Sequence, residues 1–424
     1  MAAELIKPRL LFISPVFPSP DGPGLAMRPY SQIVNLSRNY SIHLLVAGIT
    51  PERPPCCDDV VSLCDQTDYI YGYRFSGKKL GLWNRICRLM DNAAHFAGGR
   101  NLGFAPDAVD YGHLRRNKTL AAIAAMKYER VHVFRLYMAS VAEVLKERGL
   151  RSFYSLDCDD IESETRHSIA ELFSENGDMI QASRMERESK IYDNLERRKI
   201  PGFDRIFVCS RRDGETLQNR FPDKKIAVLP NVAPAVKEVR SRTVTPIFTM
   251  LFVGTMGYYP NADAVLFFAR RVVPILREKS AHPWILRVVG TLPDQTWIKQ
   301  FESIPEIKFS GWVADLACEY AAADLVVAPI RGGGGTRIKI LEAFAHGVPV
   351  VSTSKGAEGL EVESGVHLLI ADDASLFARA CIRLMKDRPA GDELSRRAIS
   401  LVASKYGPDT INRVWAEQSP EVVT

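Results

Sequence analysis

The chain alternates short, unbroken apolar runs with longer stretches of helical spacing. Residues 10–14, 43–47, 69–75, 131–134, 153–156 and 205–209 read as strands. Several are apolar throughout, as expected of strands buried on both faces of a parallel sheet. After Asn231 comes a polar, proline-bounded connector, PAVKEVRSRTVTP, with no clear period, which fits a hinge. A second series of runs then begins, at residues 248–254, 285–290, 307–313, 324–330, 348–352 and 367–371. Strands alternating with helices give the α/β class. The pattern predicts a domain over 1–232, a second over 233–405, and a closing helical segment, 406–424. Residues 162–199 are densely charged and read as a long solvated helical insertion.

The segment most specific in chemistry is APIRGGGGTRIKILEAFAHGVPVVST, from Ala328 to Thr353. A buried strand meets Gly332, Gly333, Gly334 and Gly335, and helical spacing begins at Thr336, which can serve as the N-cap. Glycines admit a ligand close to backbone N–H groups, and a helix N-terminus favours an anion. Arg337 and Lys339 add positive charge beside the same spot. Glu342 lies about 9 Å further along the helix, near the span from a diphosphate to its ribose, where a carboxylate can accept bonds from two hydroxyls. A glycine turn between a core strand and a core helix is the plainer alternative.

With these residues in view, the segment resembles the donor-binding core of the family 4 retaining glycosyltransferases. That resemblance implies the GT-B fold, an α/β architecture of two Rossmann-like domains facing a cleft, with the C-terminal helix at residues 409–417 packing back on the first domain. The family's signature is a glutamate, seven residues, then Glu-Ala; Glu342-Ala343 supplies the second half, and Gly334 stands where the first glutamate belongs. This variant resembles a branch of the family in which main-chain N–H groups of the glycine loop line the pocket. VLPN before the connector and FVGTMGYYPNADAVLFFA after it are also similar to family 4 segments. The resemblance implies that Gly254 and Thr255 line the donor site, and that the main chain near Val313 reads the nucleobase. Many members carry an arginine and a lysine after the first donor-domain strand; Arg337 and Lys339 take over that charge here. The expected activity is sugar transfer from a nucleotide-diphosphate donor to a glycan or lipid-linked acceptor with retention. A catalytically silent nucleotide-binding scaffold of the same fold is the alternative, given Gly334.

In the first half, the loop SPVFPSPDGPGLAMRPY follows the first strand, where open α/β sheets bind ligands, although a plain connector has the same composition. The resemblance makes Gly24 and Arg28 candidates for acceptor binding. Asp157, Cys158, Asp159 and Asp160 follow another strand. Carboxylates there are solvated, paired, capping or functional, and the resemblance places Asp157 and Asp159 at the catalytic element, with Lys339 opposite. A dinucleotide-dependent oxidoreductase is disfavoured, because its Gly-rich fingerprint should follow the first strand and residues 14–24 do not match it.

Composition adds limits. A net charge of +5 gives no concentrated footprint for nucleic acid. Eight scattered cysteines without paired spacing suit reduced thiols, and no run approaches the ~20 apolar residues of a membrane span, so a cytoplasmic protein is expected. Residues 78–90, KKLGLWNRICRLM, set Leu80, Trp83, Cys87 and Met90 at helical spacing among Lys78, Lys79, Arg85 and Arg88. Such a stripe either packs on its own domain or touches an anionic membrane peripherally. No metal cofactor is expected, since Gly332–Lys339 holds no carboxylate and offers N–H groups and cations instead.

Overall fold

The apolar runs become two parallel sheets in a computed structural model, which describes residues 7–20, 22, 24–48, 58–71, 114–234, 236, 246–292 and 295–418. The stripe at residues 78–90 and most of the connector lie outside the described residues. Two units emerge: residues 1–166, 184–229 and 411–424 form the first, and 167–183 with 230–410 the second.

The first unit is built on a seven-stranded sheet ordered β3-β2-β1-β4-β5-β6-β7. Its strands are β1 (Arg9–Ser14), β2 (Ser41–Gly48), β3 (Gln66–Tyr71), β4 (Arg130–Phe134), β5 (Phe153–Asp157), β6 (Arg205–Val208) and β7 (Ile226–Val228). Order reverses at β1, which pairs with β2 on one side and β4 on the other. That reversal opens a crevice at the carboxyl ends of the strands. The helix Gly24–Leu36 follows β1, and the register Phe134↔Asp157 sets the ends of β4 and β5 side by side.

The helix Asp409–Glu417 supplies Ile411 and Trp415, four residues apart, to the interior of the first unit. The Trp415 ring packs on His132 at 4.9 Å and on Phe207 at 5.4 Å. Arg130 opens β4 with its guanidinium 4.9 Å from the centroids of both Phe153 and Trp415. A flat, weakly hydrated guanidinium is buried against aromatic faces more readily than a strongly hydrated ammonium.

The second unit carries a six-stranded parallel sheet ordered β10-β9-β8-β11-β12-β13. Its strands are β8 (Phe248–Val253), β9 (Trp284–Val289), β10 (Ile307–Gly311), β11 (Leu325–Ala328), β12 (Val350–Ser352) and β13 (Leu369–Ile370). Two apolar clusters cover its faces, one around Phe268 and Phe377, the other around Ile340 and Phe344. The order reverses again at β8, between β9 and β11.

The charged stretch at 162–199 is not a solvated insertion. It forms the helices Glu162–Glu175 and Met179–Lys199, which bury Ile169, Leu172, Tyr192 and Leu195. Abundant arginine and glutamate mask this sparse apolar stripe in the sequence, and some of those charges are themselves inside. Glu196, 2% exposed, accepts from the Ser163 backbone N–H and hydroxyl and from Arg220. The tip between the two helices, residues 167–183, counts with the second unit.

Candidate functional site

In the second unit, β11 is fully buried and delivers the chain into the glycine loop, which ends at the helix Ile338–Ala345. The helix starts two residues later than the spacing suggests. Arg337, not Thr336, holds the N-cap position, and without a side-chain capping bond. The Thr336 hydroxyl instead accepts from Asn231 Nδ2 at 2.6 Å, which ties the loop to the chain entering this unit.

Two of the four glycines are required by packing within the protein. A Cβ at Gly332 would sit 2.9 Å from Leu172 Cδ2 and 3.2 Å from the Ser168 carbonyl oxygen. Gly333 is left-handed, with φ 94°, and a Cβ there would meet the Tyr258 hydroxyl at 2.6 Å. The Gly333 N–H donates to Ser168 Oγ at 3.2 Å. Gly335 is also left-handed, at φ 70°, whereas Gly334 is partly exposed. The tip that presses on the loop is anchored by Phe173, stacked on Tyr259 at 3.7 Å, and by Asn176. Asn176 and Arg331 both bond Asp263, Arg331 through two contacts of 2.6 and 3.0 Å.

Arg337 turns back on its own loop. Its guanidinium is 8% exposed and donates to the carbonyls of Gly332 and Gly334. It shapes the glycine loop and contributes charge from behind it. Lys339 is the cation at the carboxyl end of β8. Its Nζ donates to Asn261 Oδ1 at 2.8 Å and lies 4.2 Å from the Phe252 ring centroid. Burial, followed by the neighbouring Arg337, draws Lys339 down to about 7, against the pull of Glu342.

Gly254 makes room for this arrangement: a Cβ there would meet Asn261 Nδ2 at 2.8 Å and Lys339 Nζ at 3.0 Å. Asn261 Nδ2 in turn donates to the carbonyl of Thr255, which is exposed. Glu342 is buried three residues beyond Lys339, and its Oε2 accepts from the Tyr320 hydroxyl at 2.7 Å. Burial raises its pKa, with Tyr320 and Lys339 opposing. Val313, half-buried beyond the edge strand β10 and beside the exposed Trp312, packs against the apolar cluster that holds Tyr320 and Ile340.

The sequence alone does not single out Asn261, Tyr320 or Gly290 as site residues. Gly290 has φ 135°, and a Cβ would strike the Gly254 carbonyl oxygen at 2.1 Å, so the ends of β8 and β9 meet without side chains. The signal for Asn261 was available: in a doubly wound sheet the helix after the first strand opens toward the loop after β11, so its early polar residues belong to the search.

In the first unit, the acid cluster is tightly paired. Asp157 ends β5 fully buried and accepts from Arg28 Nε at 2.9 Å, Arg28 Nη2 at 3.0 Å, Gln32 Nε2 at 2.6 Å and the Asp159 N–H at 2.9 Å. Burial alone would raise this carboxyl, but Arg28 outweighs it and holds the pKa below the usual value. Arg28, expected to meet an acceptor anion, is 3% exposed and spends its donors on Asp157 and the Leu229 carbonyl. Gly24 opens the same helix one turn earlier and stays partly exposed.

Asp159 pairs with Arg135 at 3.1 Å and more loosely with Arg28 at 3.5 Å. Burial wins over both arginines and lifts its carboxyl to about 6. Arg135 also bonds Asp160 and Glu162. Arg135 and Asp159 carry positive φ, 74° and 59°, at neighbouring strand ends. Left-handed backbone at ordinary residues costs about 1 kcal/mol or more each and concentrates at functional sites. His132, also unforeseen, is buried behind the cluster, with Nδ1 2.9 Å from Ser155 Oγ and Nε2 3.1 Å from Gln32 Oε1. Burial draws it to about 3, so it stays neutral.

The family described as Glycosyl transferases group 1 matches residues 247–387. Over these residues the chain is similar to that family. Among curated relatives, an uncharacterized 44.6 kDa protein in the cps region of Klebsiella pneumoniae is 33% identical over 165 residues, 37% of this chain and 42% of its own. An exopolysaccharide phosphotransferase of Streptomyces coelicolor is 24% identical over 241 residues, 53% of this chain and 24% of its own. The chain thus spans less than half the length of these relatives. Solved structures extend the likeness beyond that match. Sucrose-phosphate synthase of Thermosynechococcus elongatus aligns with a TM-score of 0.65 at 14% identity, over 97% of this chain and 98% of that one. HepE of Anabaena, in complex with UDP-glucose, aligns at 0.60 and 14% over the same shares. The fold is GT-B, and the group 1 match falls within its second unit. No described helix is long and apolar enough to cross a membrane.

Proposed function

We propose that the protein transfers a sugar, with retention of configuration, from a nucleotide-diphosphate sugar to a glycan or lipid-linked glycan during polysaccharide synthesis. The observation that carries this reading is the pair Lys339 and Glu342, a cation and a carboxylate three residues apart on the helix after the glycine loop. Such a pair suits a diphosphate and its ribose, with Gly254, Thr255 and Gly333 to Thr336 as backbone neighbours and Val313 toward the base. Complexes such as that of HepE with UDP-glucose favour a UDP-sugar as donor. The cps-region and exopolysaccharide relatives favour a polysaccharide product.

In this reading Lys339 stabilises the charge that develops on the departing diphosphate, helped by loop N–H groups and, from behind, by Arg337. Asp159, with a carboxyl near 6, takes the proton of the acceptor hydroxyl as that oxygen bonds the sugar, and Asp157 positions it through the Asp159 N–H. Gly24, partly exposed above Arg28, is left to touch the acceptor. Isothermal titration with UDP, then turnover of UDP-sugars with and without glycan acceptors, tests the proposal. Gly334 in place of the sugar-contacting glutamate supports a second reading, a silent nucleotide-binding scaffold. UDP binding without any hydrolysis or transfer across a donor panel would select it.

A further inference from the structure

Tyr320 touches one face of the helix Ile338–Ala345 at three levels. Its hydroxyl lies 2.7 Å from Glu342 Oε2 and 3.3 Å from the Lys339 carbonyl, and its ring lies parallel to His346 at 4.9 Å and 7°. Positions 339, 342 and 346 recur at helical spacing, so one phenol fixes both the rotation of that helix and the plane of the Glu342 carboxylate. Tyr320 is 1% exposed, and it is the buried residue of its own short helix, Leu316–Ala322. Glu342 Oε1 has no hydrogen-bond partner among the described residues. A buried carboxylate with one oxygen held by a fixed hydroxyl and the other open is preorganised for an incoming donor.

We propose that Tyr320 is a positioning residue for the nucleotide site: its hydroxyl holds Oε2 of Glu342, leaving Oε1 to accept from a vicinal diol such as the ribose 2′- and 3′-hydroxyls. This rests on the nucleotide-donor reading above. The carboxylate must be ionised to accept both hydroxyls, and burial opposes ionisation. The groups that favour it are Tyr320 from one side and Lys339 from its own helix. Removing the phenol oxygen therefore raises the pH below which the diol is lost, besides loosening the carboxylate.

The test measures Kd for UDP and for 2′-deoxy-UDP from pH 5 to 9 in the wild type, Tyr320→Phe, His346→Ala and Glu342→Gln, with Tm of each as the folding check. Tyr320→Phe is expected to weaken UDP about tenfold or more at pH 8, the loss of a hydrogen bond to a charged group. It should also move the acid limb of binding to higher pH and narrow the preference for UDP over the deoxy analogue. His346→Ala should move the same readouts less, and Glu342→Gln should remove both the acid limb and the preference. Wild-type affinity and pH profile in Tyr320→Phe, with Glu342→Gln impaired, overturns the positioning role alone. If Tyr320→Phe does not fold, unchanged UDP affinity and acid limb in His346→Ala overturns it. Failure of the wild type to bind UDP or any other nucleoside diphosphate overturns the donor reading, and this role with it.

Discussion

Replacing Lys339 with Met removes the ammonium and keeps a stem that can lie on the Phe252 ring. In the ligand-free protein the ammonium is a liability, because its pKa falls from 10.5 to about 7. At about 1.4 kcal/mol per unit this is a few kcal/mol, less what solvent returns to a side chain that keeps partial exposure. The sign follows from linkage. The folded state binds this proton more weakly than the unfolded chain, so the penalty is absent above 10.5, grows as pH falls, and is complete below about 7. Lys339→Met should therefore raise Tm at pH 7 and do so much less at pH 10.

The bound state reverses the balance, since a diphosphate beside Nζ restores the charge. At pH 8 the free lysine is mostly neutral, so UDP binding should draw close to one proton from solution. Titration in buffers of different ionisation enthalpy reads that proton directly. Lys339→Met should abolish the uptake, weaken UDP roughly tenfold to a hundredfold at about 1.5–3 kcal/mol, and cost more in turnover than in binding. Wild-type binding at pH 8 without proton uptake would refute the argument that Lys339 meets the diphosphate.

Asp159→Asn should depress turnover far more than UDP affinity and remove a loss of activity below about pH 6, the range to which burial lifts this carboxyl; a retained acid limb would assign it elsewhere. Asp157→Asn should instead destabilise the protein by about 3 kcal/mol in urea melts, because buried Arg28 keeps only its looser pairing with Asp159. Gly332→Ala should cost about 1–3 kcal/mol by overpacking against Leu172, and Leu172→Ala should recover part of that loss in the double variant. Transfer should survive excess chelator, since Arg28 and Arg135 already balance the acid cluster; loss of activity that Mn²⁺ restores would refute this.

Strand positions were legible because a strand buried on both faces is apolar at every position, a signal that needs no partner. The segments at 10–14 and 131–134 were found within one residue of β1 and β4. The third strand was misplaced: polar Gln66, Thr67 and Asp68 open β3, an edge strand exposed enough to lack the apolar signal. The glycine loop announced itself by composition, but composition could not say what presses on it. Leu172 and Tyr258 lie far away in sequence, and each stands where a Cβ on the loop would go. Thr336 looks like a cap by residue type, yet its hydroxyl is claimed by Asn231, a partner 105 residues distant. Arg28 and Asp157 were each singled out, but their bidentate pairing across 129 residues was invisible to any local pattern.

The tip at residues 167–183 carries a consequence for how the chain acquires its structure. Its partners Asp263 and Arg331 are synthesised 87 and 155 residues after Asn176. During translation Leu172 and Phe173 therefore wait with apolar surface uncovered until much of the second sheet exists. Closing loops of that length costs entropy before any contact repays it, so docking of the tip belongs among the late steps of folding. A fragment that begins at Pro230 would have every strand of its sheet and still lack one of its own packing layers, leaving the Gly332 backbone and the Tyr259 ring bare.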